Sequence, residues 1–311
     1  MEEQQKEPQK LIHKIKDFYE KKYKPLFIIT IAMLLIAMFL IGYKYSTEGD
    51  FINRDVSLKG GISFTIPIEK DVDHLALRDF LKSKYPNNDV FVKSFRQSAE
   101  SFGLIVDIDL KESNEAVIRE VIGHVSSFIG SEIKQGQYSY EFIDSSLGES
   151  FFRQTFIALG IAFLFMGIVV FFYFRTLVPS IAVITAAFSD IIVTLAIVNL
   201  LGIRVGTAGL SAFLMLIGYS VNTDILLTTR VLKRKETTEN ERIYSSIKTG
   251  FMTAGTTMAA VTVGLLVTDS EVIRQIMIII FIGLIVDMFN TWIQNVGLLR
   301  WYLEKKNEPK A

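Results

Sequence analysis

Six long stretches almost free of charge constrain this chain more than anything else in its sequence. A helix needs about 20 largely apolar residues to cross a hydrocarbon core, because a backbone amide in lipid finds no water and must be paired within its own segment. Leu26–Tyr43, Thr155–Phe174, Val178–Leu200, Gly206–Thr228, Gly250–Val267 and Val272–Asn295 meet that requirement, some by tolerating a polar residue. Hydrophobic residues make up 50% of the chain and the mean hydropathy is +0.35, too apolar for an ordinary soluble domain of this charge content. The predicted fold is a membrane bundle of six transmembrane helices.

Lys and Arg in the short flanking segments set the orientation, since segments rich in them stay on the cytoplasmic side. One set of flanks holds seven such residues before Leu26, Arg175, six between Arg230 and Lys248, and four from Arg300 onward. The opposite short loops hold only Arg204 and Arg274. Both termini are therefore expected in the cytoplasm, with the long segment after the first helix outside. Seven Lys in the first 25 residues, and no small-residue cleavage pattern at the end of the first apolar run, read as a retained anchor rather than a cleaved signal. The expected layout is a cytoplasmic segment 1–25, a first transmembrane helix 26–45, an extracytoplasmic domain 46–153, transmembrane helices two to six over 154–299, and a cytoplasmic tail 300–311.

Within 46–153 the periodicity alternates between two classes. Ile62–Ile68 reads as a strand, Val72–Lys84 as an amphipathic helix and Pro86-Asn87-Asn88 as a turn. Val90–Phe95 and Leu104–Leu110 alternate as strands, Glu115–Ile129 has helical spacing, and Gln137–Ile143 alternates again. That order, βαββαβ, is a ferredoxin-like α+β unit, a scaffold that names no function by itself.

Composition removes several chemistries. Lys plus Arg and Asp plus Glu both number 33, so no global field points to nucleic acid or an acidic substrate. The absence of cysteine excludes a disulfide framework, a thiolate nucleophile and a Cys-ligated metal. His13, His74 and His124 lack ligand spacing and read as surface or packing residues. No cofactor is implied. HExxH and GxSxG are missing, and none of the membrane aspartates stands in a glycine-flanked motif, so an enzyme is not expected. Gly60-Gly61 reads as a tight backbone entry to the first strand, and Arg230–Lys235 as a positive-inside anchor able to touch anionic lipid.

Four motifs at helix and strand ends carry a family resemblance. They are SLKGGISF (Ser57–Phe64), SSLGESFFRQ (Ser145–Gln154), GYSVNTDILLTTRVLKR (Gly218–Arg234) and DMFNTWIQNVGLLRWYL (Asp287–Leu303). In that order, with one helix before the outer domain and five after it, the chain from about residue 25 onward resembles the SecF family of protein-export membrane proteins, most of all its archaeal branch. The resemblance implies membership of the resistance-nodulation-division superfamily and pairing with a SecD-like six-helix membrane subunit. It also implies association with a SecY-type translocon and assistance to unfolded exported polypeptides in the cell membrane. In bacterial members the late step is linked to proton flow. The rival class is one half of a small-molecule exporter of the same superfamily.

Ionisable groups at membrane depth cost about 2.5–3.5 kcal/mol each and invite a functional reading. Asp190, Asp224 and Asp287 are the three carboxylates so placed. Helical spacing groups Ser220, Thr223 and Asp224 on one face, Thr249, Thr253, Thr256 and Thr257 on another, and Asp287, Asn290, Thr291 and Gln294 on a third. Three polar stripes in lipid are expected to face one another or a wet cavity. One reading is a proton relay centred on Asp224, with Lys248 as a nearby cation. The other makes these aspartates polar glue within the bundle or with a partner, or lets Asp224 snorkel to the interface or bond a neighbouring Thr. By the resemblance, the bacterial carboxylate falls at Thr223, its basic partner at Lys248, and Asn222 at a position where archaeal relatives are often acidic.

Overall fold

The computed structural model describes residues 16, 18–68, 72–96, 102–233, 237–268 and 270–307. His13, most of the N-terminal basic segment, Arg234 and Lys235 of the basic run, and Lys310 lie outside these. The helices are α1 (Tyr23–Glu48), α2 (Val56–Lys59), α3 (His74–Lys84), α4 (Glu115–Ile129), α5 (Ser145–Phe174), α6 (Leu177–Leu200), α7 (Thr207–Lys233), α8 (Glu239–Val267) and α9 (Glu271–Phe289). A π-helical stretch, Asn290–Asn295, leads from α9 into α10 (Val296–Asn307). The strands are β1 (Gly61–Ile68), β2 (Val90–Arg96), β3 (Phe102–Ile108) and β4 (Ser139–Ile143).

The chain divides into two units. One comprises the residues up to Ile52, Leu159–Ile203 and those from Ser211 onward; the other comprises Asn53–Ala158 with Arg204–Leu210. The short segment Arg204–Leu210, grouped from sequence with the helical part, thus belongs to the folded unit.

Among the described residues, six helices are long and apolar enough to cross a membrane, and most of their length lies in the first unit. They run beyond the apolar windows because polar end turns are still helical. A capping box between Thr238 and Glu241 starts α8 well before Gly250, and Ser270 caps α9. Burial is uneven: the apolar windows of α6 and α7 are 61% and 50% buried, against 6% for α5 and 17% for α1 and α8. Phe39 on α1 and Leu266 on α8 are 70% and 81% exposed, which suits lipid and would be costly in water. The bundle is therefore organised around α6 and α7.

In the second unit a four-stranded sheet has the order β2-β3-β1-β4 with every neighbouring pair antiparallel. Alternation buries Ile62, Phe64 and Ile66 of β1 and Leu104, Val106 and Ile108 of β3 against Leu77 and Leu81 of α3 and Val121 and Val125 of α4. Each such side chain contributes about 1.5–3 kcal/mol on leaving water. Asp73 caps α3 by accepting from the Leu75 and Ala76 amides, and Asn114 caps α4 from Val117. The glycine pair has a steric cause: at φ +86° and +129°, a Cβ on Gly60 would lie 2.4 Å from Ser145 Cα and one on Gly61 2.5 Å from the Ile108 carbonyl oxygen.

Arg204–Leu210 is tied to this unit by main chain and charge. Val205 donates to the Asn53 carbonyl at 2.6 Å and accepts from Asp55 at 3.1 Å. The Arg204 guanidinium donates to Asp89 at 2.9 Å and lies 4.5 Å from the Phe91 ring centroid, while Lys59 reaches the other Asp89 oxygen at 3.2 Å. Burial opposes the charge on Asp89, but Arg204 and Lys59 outweigh it and hold the carboxyl below its ordinary range.

Asp107 on β3 behaves oppositely. It is buried, and desolvation pushes its carboxyl up to about 6 despite a 2.7 Å hydrogen bond donated by Ser63. A group held protonated in the folded state and ionised in the unfolded one favours folding at low pH and loses that advantage as pH rises from about 4 to about 6. The displacement is worth on the order of 3 kcal/mol. We expect protection of the β1 and β3 amides in the full-length protein, corrected for intrinsic exchange, to fall across that window, and Asp107→Asn to flatten the dependence. An equal slope in the variant would assign it to other groups.

Candidate functional site

The polar residues of the bundle meet where α6, α7 and the end of α9 pack. Asp190 on α6, Asp224 on α7, and Asn290, Thr291, Gln294 and Asn295 in the π-helical stretch are all 0% exposed, and Asp287 is 1% exposed. Spacing on α7 aims Ser220 and Asp224, one turn apart, into the same interior. Ser220 donates a short hydrogen bond to Asp190, and the Asn290 amide donates to the other Asp190 oxygen at 2.7 Å. Asn295 donates to Asp224 at 2.7 Å.

Thr291 joins two carboxyls. Its hydroxyl oxygen lies 3.0 Å from Asp224 Oδ1 and 3.1 Å from Asp287 Oδ1. A hydroxyl has one proton to donate and lone pairs to accept, so it donates to one carboxylate while accepting from the other if that one is protonated. Asp224 Oδ2, Asp287 Oδ2, Asn290 Oδ1, Asn295 Oδ1 and both polar atoms of Gln294 have no hydrogen-bond partner among the described residues. No Lys or Arg forms an ion pair with the three aspartates among the described residues. Isolated carboxylates in an apolar interior carry a large desolvation cost. The cluster is therefore held by hydrogen bonds from Ser220, Asn290, Thr291 and Asn295 rather than by ion pairs.

The π-helical turn makes the convergence possible. Bonding to i+5 instead of i+4 places one extra residue in the turn, so Asn290 and Asn295 share a face and both reach carboxyls. Two features hold it. Tyr19 donates a short hydrogen bond to the Trp292 carbonyl. Trp292 lies against Gly250 on α8, where a Cβ would stand 2.0 Å from the indole, so only glycine admits the ring.

Sequence reasoning named most of this site and misplaced part of it. Asp190, Asp224, Asp287 and Asn290 come together as one network. Ser220, grouped by spacing with Asp224, bonds Asp190 instead. Thr223 is buried but makes none of the hydrogen bonds to the carboxyls, Asn222 is exposed, and Lys248 is exposed on α8 without a hydrogen bond or ion pair to Asp224. The α8 stripe does not face the carboxyls either: Thr253, Thr256 and Thr257 donate to carbonyls of their own helix at 2.8–3.1 Å, and Thr253 and Thr256 are exposed. Hydroxyls satisfied in this way need no interior partner. Asn295 was missed because a 3.6-residue period turns it away from Asp287. Among the described residues no group of three or more His, Cys, Asp or Glu is arranged to hold a metal ion.

These features define a multi-pass membrane protein with a polar network at the centre of its helical bundle. The family model for the C-terminal part of the protein-export membrane proteins SecD and SecF matches residues 126–305. The protein-export membrane protein SecF of Methanothermobacter thermautotrophicus is 37% identical over 92% of this chain and 95% of that protein, and its namesake in Methanocaldococcus jannaschii is 35% identical over 93% and 99%. The crystal structure of SecDF, a translocon-associated membrane protein from Thermus thermophilus, superposes with a TM-score of 0.68 at 21% identity, over 90% of this chain and 38% of that longer one. The chain belongs to the SecF family of protein-export membrane proteins.

Asn290→Leu removes the amide donor to Asp190 and should lower stability by about 1–3 kcal/mol. Thr253→Ala on the exposed face of α8 should stay within about 0.5 kcal/mol of wild type. Unfolding of the purified protein in detergent distinguishes them; equal losses would mean that the α8 stripe belongs to the network.

Proposed function

We propose that this chain is an accessory subunit of the Sec translocase, pairing with a SecD-like six-helix membrane subunit beside a SecY-type channel and assisting unfolded polypeptides across the cell membrane. The observation that carries this reading is the match to SecF proteins over more than 90% of both chains. A half of a small-molecule exporter has no observation in its favour. Both termini stand in the cytoplasm and residues 46–153 outside, as the Lys and Arg asymmetry supports. The outer unit is a ferredoxin-like domain, a reading supported by its βαββαβ order and its antiparallel sheet.

The same proposal makes the buried carboxyl cluster a proton relay. Thr291 links Asp224 to Asp287, and Ser220 and Asn290 hold Asp190, so a proton arriving at one carboxyl alters the charge that the neighbouring helices must accommodate. Repacking of α6, α7 and the π-helical turn against a changed charge is the step that would be linked to movement outside. Lys248 has no part in it.

Two measurements test the reading. Cells carrying Asp190→Asn, Asp224→Asn and Asp287→Asn together should export a secreted reporter several-fold more slowly, with the protein still inserted; wild-type rates would end the relay. Solubilised protein should co-purify with a SecD-like six-helix companion, and a stable homo-oligomer without one would favour the exporter class. Because the chain has no cysteine, a single Ser127→Cys reports the side of the outer unit directly, with labelling expected from outside the cell.

A further inference from the structure

We propose that the free edge of β4, with the groove between it and α4, is a binding site for an extended segment of polypeptide, which adds to the sheet as a fifth strand. The proposal rests on the export function above and names where, on this chain, the substrate is held.

Strand order leaves β4 at an edge, paired only with β1. Among the described residues no other main-chain bond is made by Ser139–Ile143, so its outward amides and carbonyls are available to a new strand. Edge strands are ordinarily guarded by Lys or Pro. The opposite edge, β2, carries Lys93, whereas β4 reads Ser-Tyr-Glu-Phe-Ile, with no Lys or Pro and Glu141 as its one charge.

Beside that edge lies a groove of about 360 Å³ lined by Ile118, Ile122, Gly123, Ile133 and Tyr140. Tyr140 is braced on the buried Phe64 ring, 6.2 Å between centroids, and remains 50% exposed. Alternate side chains of an added strand would enter this groove, the arrangement in which main-chain bonds supply affinity and pockets supply selectivity. Glu115, Arg119 and Glu132 also line it, with Arg119 paired to Glu115 at 3.1 Å, so the groove is weakly acidic and tolerates a segment carrying Lys.

Gly123 is the second observation. It sits inside α4, where glycine is disfavoured relative to alanine, yet nothing lies within 4 Å of where its Cβ would be, and it has no positive φ. Neither packing nor backbone conformation demands it. Any side chain there would project into the groove, so the glycine keeps the groove open.

The occupant is a passing chain rather than a folded subunit. Five residues at about 3.4 Å each give an edge of roughly 17 Å. A strand of that length, with one small groove, falls well short of the roughly 1,200 Å² of a stable partnership. It suits repeated, sequence-tolerant capture.

The test uses the full-length protein in lipid nanodiscs and a fluorescein-labelled peptide of two Lys followed by alternating Val and Thr, titrated by fluorescence anisotropy. Wild type should bind saturably, and Gly123→Phe should bind at least about tenfold more weakly, equivalent to about 1.4 kcal/mol. Gly123→Ala should fall between the two. A peptide N-methylated at alternate residues should lose binding to wild type, because it lacks the main-chain donors. Both variants improve helix propensity, and unfolding curves check that they fold. Absence of saturable binding by wild type, or equal binding by Gly123→Phe and by the N-methylated peptide, overturns the site. Loss of the six-helix companion from Gly123→Phe with peptide binding intact assigns the groove to that companion and also overturns it. Failure of the wild type to capture any companion would count against the proposed function alone, since the peptide titration is read separately.

Discussion

A polar group inside a hydrocarbon core must find its partner in protein, and this bundle is arranged around that requirement. Asp190, Asp224 and Asp287 come from three different helices, and their hydrogen-bond donors come from α7 and from the π-helical turn after α9. The most buried helices are the ones that carry this network, while α1, α5 and α8 present apolar side chains outward. Small residues are spent where this packing is closest, as at Gly250 under Trp292 and Gly283 against Leu216.

The network also leaves polar capacity unused. Gln294 has no hydrogen-bond partner for either of its polar atoms among the described residues, and Asp224 and Asp287 each keep one unpaired oxygen. Buried groups of that kind are usually satisfied in native proteins, and exceptions concentrate where function requires two states. The second unit shows the same logic: Asp89, gripped by Arg204 and Lys59, is held below its ordinary range, whereas burial pushes Asp107, beside the Ser63 hydroxyl, up to about 6.

Much of this was legible in the sequence because the strongest signals are compositional. Six apolar runs and three carboxylates within them stand out without any structure, and period-two and period-3.6 patterns order the elements of the second unit. What escaped depends on contacts distant in sequence or on departures from ideal geometry. Strand order follows from pairing Ser63 with Asp107 and Gly61 with Ile143, which no local pattern specifies. Asn295 was hidden by the assumption of a regular helix. The α8 threonines were read as needing an interior partner, although a hydroxyl can be satisfied by the carbonyl one turn back. Lys248 and Asn222 were carried by motif position, and position on a helix does not fix which face is turned inward. Apolar composition alone groups the segment from Gly206 with the fourth apolar stretch, because the ties of Arg204 and Val205 to Asn53, Asp55 and Asp89 are invisible one residue at a time.

In the proposed relay, three carboxyls on separate helices behave as one proton-binding unit. Infrared difference spectra of the protein in lipid, recorded across a pH jump, read the carbonyl stretch of protonated carboxyls directly. If the claim is right, replacing Asp224 alone with Asn will both remove its own band and shift the bands of Asp190 and Asp287. Three bands that vanish one at a time, each leaving the others unmoved, would contradict it.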